Sequence, residues 1–71
     1  MKFQELDVVR TTKSFPQAGI ASGQVGTVVS VFSAPREAYQ IEFCDEAGET
    51  LAMFPIEPQF LAIEEPMRLA A

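Results

Sequence analysis

The run Gly19-Ile20-Ala21-Ser22-Gly23-Gln24-Val25-Gly26-Thr27-Val28-Val29-Ser30-Val31 carries no charge and sets glycines at the entrance of a β-branched stretch. Val and Thr at this density suit a pleated, half-buried surface, and their stiffness at χ1 disfavours a helix. Glycine accepts a positive φ and a close backbone approach, so the stretch reads as a sharp turn into a central, bent strand. A strand of that kind belongs to a small β-barrel.

The flanking sequence supplies its partners. Leu6 to Arg10 reads as a short first strand, with Leu6 and Val8 pointing one way and Asp7 and Val9 the other. Thr11 to Gln24 is a long connection in which Pro16, Gly19 and Gly23 break regular structure. Phe15 and Ile20 within it are expected to fold back over the barrel, as an Ω-loop does. Val25 to Phe32 is the second strand. Val25, Thr27, Val29 and Val31 are expected on one face, and Val28 and Phe32 on the other. Both faces are apolar, as in a strand shared by two sheets of a barrel. Ser33 to Glu37 is a turn.

Ala38 to Cys44 alternates Tyr39, Ile41 and Phe43 with Gln40 and Glu42, the pattern of a strand with one wet face. Asp45-Glu46-Ala47-Gly48 is a hairpin turn with Gly48 left-handed. Glu49 to Phe54 returns, with Leu51 and Met53 on one face and Thr50, Ala52 and Phe54 on the other. Pro55 and Pro58 argue against a strand interior and favour a 3₁₀ turn. Phe60 to Ile63 is a short last strand.

These elements describe an all-β chain: a small five-stranded SH3-like barrel over residues 1–63, with a 3₁₀ turn before the last strand. Residues 64–71 form a C-terminal tail, in which Pro66 stops the strand and Met67 to Ala71 add at most a frayed turn. An OB-type barrel needs a helix between its third and fourth strands, and no segment here has room for one.

Leu6-Asp7-Val8-Val9, the Gly19/Gly23 pair, Val25-Gly26-Thr27-Val28-Val29, Tyr39-Gln40-Ile41-Glu42-Phe43 and Asp45 to Gly48 stand in an order that resembles a family of small bacterial proteins. That family is frequent in cyanobacteria and known only as a domain of unknown function. The resemblance spans Leu6 to Ile63 and implies an SH3-like fold with no established activity. The stretch Gly23-Gln24-Val25-Gly26-Thr27-Val28 is also similar to other SH3-like modules, among them translation-factor and ribosomal-protein barrels.

Composition narrows the chemistry. The chain has 71 residues, enough for one small core, and ten acids against five bases leave a net charge of −5. That balance repels phosphate backbones and anionic membranes. There is no histidine, so the commonest general acid–base and every Ser-His or Cys-His arrangement are missing. Cys44 is the only cysteine and has acids, not bases, beside it, so it reads as a small residue at a hairpin end. Asp45, Glu46 and Glu49 crowd one turn but match no calcium-loop signature. The Gly19/Gly23/Gly26 spacing lacks the Lys-Ser/Thr ending of a phosphate loop. No catalytic residue, metal or cofactor is expected. With no disulfide, no apolar leader at the start of the sequence and no membrane-length apolar run, a soluble cytoplasmic protein is the expectation.

What remains is contact with another protein. At 48% hydrophobic, the chain holds more apolar surface than so small a core readily hides. Phe15, Ile20, Phe32, Phe54, Ile56, Met67 and Leu69 are the candidate interaction residues. If exposed together they form an interface, first of all between copies of the chain; otherwise the loop and tail bury them against the barrel. The alternative partner is RNA, with Phe15 stacking a base near Arg10 and Lys13. Nucleic acid is disfavoured because salt-linked affinity needs several phosphate contacts.

Overall fold

The computed structural model describes residues 2–64. The strands are β1 (Val8–Thr11), β2 (Val25–Phe32), β3 (Ala38–Cys44), β4 (Thr50–Ile56) and β5 (Leu61–Ile63). They form one five-stranded antiparallel sheet in the order β4-β3-β2-β1-β5. A 3₁₀ turn at Pro58–Phe60 leads into β5, as the proline spacing predicts. A second 3₁₀ turn, Pro16–Ala18, lies inside the long β1–β2 connection, where no regular structure is expected.

Directly opposed residues on antiparallel strands share a face. The registers therefore put Val9 and Thr11 of β1, Val28 of β2, Tyr39, Ile41 and Phe43 of β3 and Ile56 of β4 on one buried face. Leu61 of β5, Ile20 from the β1–β2 loop and Phe3 from the N-terminal segment complete the core. Gly26 is placed where only glycine fits: a Cβ there would lie 2.6 Å from Ile41 Cγ2 and 2.9 Å from Phe43 Cδ1.

Four local readings are corrected. β1 starts at Val8, because Leu6 turns the chain with a φ of 74°. β2 carries a bulge: Val28 opposes Ile41 but Ser30 opposes Gln40, so Val29 is the extra residue. The bulge reverses the alternation beyond it. Val31, opposite Tyr39, joins the face of Val28, and Phe32 turns outward instead of sharing that face. A second irregularity, between Phe43 and Cys44, leaves Leu51 between the paired residues Thr50 and Ala52. Thr50 consequently bonds the outward Glu42 carboxylate and does not share a face with Ala52. Finally, β4 runs through Pro55 to Ile56. A proline fits because β4 is an edge strand, with no further strand waiting for the missing N–H.

Candidate functional site

The base of the β1–β2 loop is clamped around Thr11, the one buried polar residue among those described. Its Oγ1 donates to the Ala21 carbonyl at 2.9 Å and accepts from the Gln24 N–H at 3.2 Å. Its backbone carbonyl accepts from Gly23 N–H at 2.8 Å, and its own N–H donates to Gln24 at 3.0 Å. Further out, Phe15 and Ile20 exchange backbone hydrogen bonds of 2.7 and 3.1 Å. Between them the Pro16–Ala18 turn closes on Gly19 at a φ of 72°. This small closed frame sends Ile20 into the core and holds the Phe15 ring at its edge.

Phe15 meets the edge strand there. Its ring centroid lies 5.3 Å from that of Phe54, nearly edge to face, and Phe54 continues inward to Phe43 at 5.7 Å. Phe60, brought in by the 3₁₀ turn before β5, stands 6.4 Å from Phe15. The Thr12 N–H bonds the Phe60 carbonyl at 2.9 Å, which fixes the loop against that turn. The next residue, Lys13, consequently holds its ammonium 4.7 Å from the Phe60 centroid and 5.3 Å from the Phe15 centroid. Beside this group opens a groove of about 540 Å³, lined by Lys13, Ser14, Phe15, Pro16, Gln17, Ala18 and Phe54. Its walls are mainly apolar, with one cation at the rim. Such a surface suits an apolar side chain accompanied by negative charge.

The candidate interaction residues separate into distinct environments. Phe15 and Phe54 come together as the groove walls. Ile20 and Ile56 are buried in the core and are withdrawn as interface residues; the loop and the far end of β4 pack them inward. Phe32 is exposed on the outward face at the end of β2, opposite Ala38. Met67 and Leu69 lie outside the described residues. The sequence reading missed Phe60, Leu51 and Met53 as surface features. The last two are half-exposed on the β4 edge strand. It also missed Leu6, whose 79% exposure is the largest of any large hydrophobic among the described residues.

At the other end of the sheet the Tyr39 hydroxyl, inside the core, donates to the Glu37 carboxylate. It accepts from the backbone N–H groups of Lys2 and Phe3 at 2.9 and 3.2 Å. The hydrogen bond from Tyr39, assisted by the Lys2 N–H, holds the Glu37 carboxyl below its ordinary pKa. Burial, then the bond to Glu37, pushes the Tyr39 hydroxyl up. The cluster ties the N-terminal segment to β3.

The acidic turn shows why its carboxylates do not converge. Asp45 Oδ1 accepts from the Ala47 and Glu49 N–H groups, each at 2.9 Å, and is thereby spent on shaping the turn. Among the described residues no cluster of metal-ligating side chains forms, and no helix is long and apolar enough to cross a membrane. Cys44 is exposed and free.

Most of the chain matches a family model. The model of a family described as a domain of unknown function, DUF4926, matches residues 5–63, the sheet and every loop between its strands. No curated protein and no solved structure matches the chain.

Proposed function

The chain belongs to the DUF4926 family, and we propose that it is a non-catalytic protein-interaction module that associates with itself through its first loop and an edge strand. The observation that carries this reading is the groove between Phe15 and Phe54, an open, largely apolar recess at the sheet's edge. Leu51 and Met53 are half-exposed on the same edge strand, Met53 on its outward face opposite Glu42. Large apolar side chains left in water at an edge strand favour pairing with another chain.

The strand order β4-β3-β2-β1-β5, with a long β1–β2 loop and a 3₁₀ turn before β5, supports an SH3-like barrel as the scaffold. A sequence without histidine and with a single cysteine favours binding over catalysis and suits a reducing, cytoplasmic setting. RNA is the weaker reading, since Lys13 is one cation beside the groove in a chain of net charge −5.

Light scattering coupled to size exclusion, over a range of concentrations, tests the proposal. A mass that rises above the monomer supports it, and a monomer throughout refutes self-association.

A further inference from the structure

We propose that the groove is a socket for Leu6 of a second copy of this chain, with Glu5 of that copy set against the Lys13 ammonium. The inference rests on the self-association reading and names its contact. Among the described residues Leu6 is the most exposed large hydrophobic, at 79%, and is held at a φ of 74°, which leucine rarely adopts. A bulky residue kept at that φ in full contact with water signals a constraint beyond folding.

The prominence is also rigid. The Leu6 N–H donates to the Val28 carbonyl at 2.8 Å. Asp7 closes the turn, its N–H donating to the Gln4 carbonyl at 3.1 Å and its Oδ2 accepting from the Gln4 N–H at 2.9 Å. A side chain already held in place loses little freedom on docking.

Charge selects the orientation. Two copies of net charge −5 repel unless an acid meets an available base. Arg10 is paired with Glu64 at 3.3 Å and Arg36 with Glu57 at 3.0 Å. Lys13 has no ion-pair partner among the described residues, and it alone of the described bases lines the apolar groove. Glu5, exposed and likewise without an ion pair among the described residues, adjoins Leu6. Within the chain the two are separate: Leu6 is tied to Val28 just before β1 and does not line the groove, whose loop residues follow β1. Knob and socket are different surfaces, so a twofold pair would use the contact twice.

The test is association of the full chain, followed by light scattering over a concentration series. Leu6→Ala and Leu6→Asn are expected to weaken association by about tenfold or more, the loss of one buried leucine. Lys13→Glu should weaken it as well, and Glu5→Lys combined with Lys13→Glu should restore it. Leu6→Asn keeps the turn conformation, so its loss of association is not a loss of fold. A wild-type chain that is monomeric throughout removes both the self-association reading and the socket. Association that survives Leu6→Ala, Leu6→Asn and Lys13→Glu unchanged removes the socket alone. Binding of a labelled oligouridylate that Lys13→Glu abolishes also overturns the socket and assigns the groove to nucleic acid.

Discussion

Tyr39, in β3, and Glu37, two residues before it, are joined by a hydrogen bond in which the buried phenol donates to the carboxylate at the surface. The same hydroxyl accepts from the Lys2 and Phe3 N–H groups, so one oxygen fastens the N-terminal segment over the core. Tyr39→Phe keeps the ring, which packs edge to face on Phe3 at 5.2 Å, and removes only the oxygen. The buried Phe3 N–H then loses its partner, while the Lys2 N–H and the Glu37 carboxylate keep only each other, at 3.2 Å. The expected cost is about 1–3 kcal/mol in a urea titration, with faster amide exchange at Phe3.

The pair also sets a pH dependence at both ends of the scale. The folded state lowers the pKa of Glu37. Its contribution is complete above the unfolded value of about 4.3 and is lost as pH falls through the lower folded value. The folded state raises the pKa of Tyr39. Its contribution is complete below the unfolded value of about 10 and is lost as pH rises through the higher folded value. Unfolding midpoints measured across pH should fall at both extremes in the wild type. In Glu37→Gln the acid-side fall should shrink.

Gly26 tests the packing of the sheet. It pairs with Val9, and an added methyl would strike Ile41 and Phe43, with the Glu42 carbonyl at 3.0 Å. Both side chains are fully buried and have nowhere to go. Gly26→Ala should cost about 1–3 kcal/mol by overpacking. A thermal midpoint equal to the wild type would show that the strands part more easily than this geometry allows.

Much of this architecture was legible because period-two patterning survives a single face of burial. Tyr39, Ile41 and Phe43 advertise β3 by themselves, and the Asp45 to Gly48 turn follows from side-chain chemistry, with Gly48 at a φ of 84°. The bulge at Val29 was not legible, since a run of valines and threonines looks the same in either phase. β4 crosses Pro55 because its place at the sheet edge, which no local pattern encodes, relieves the usual penalty. The groove was half visible: Phe15 and Phe54 stood out as surplus aromatics. Their meeting with Lys13 and Phe60 depends on hydrogen bonds between segments some 47 residues apart, such as Thr12 to Gln59.

Thr11 links the core to that groove. Thr11→Val preserves shape and leaves the Ala21 carbonyl and Gln24 N–H without their side-chain partner. The global cost should be about 1–3 kcal/mol. Loosening should concentrate in the β1–β2 loop, so amide exchange at Phe15 and Ile20 is expected to quicken more than at Ile41. Equal acceleration at all three would mean that the loop and the sheet open together.

Leu6 offers the opposite kind of change, a substitution that stabilises. Its left-handed backbone places Cβ against the following carbonyl, a strain of roughly 1–2 kcal/mol that Asn tolerates better. The side chain is 79% exposed, so removing it forfeits little burial. Leu6→Asn should gain about 0.5–1 kcal/mol, read as a higher urea midpoint at an unchanged slope. The measurement belongs at high dilution, where association adds nothing to stability. A residue whose replacement strengthens the isolated fold while weakening association is retained for contact, and both effects in one variant would separate that role from folding. A lower midpoint for Leu6→Asn would mean instead that the leucine serves the fold.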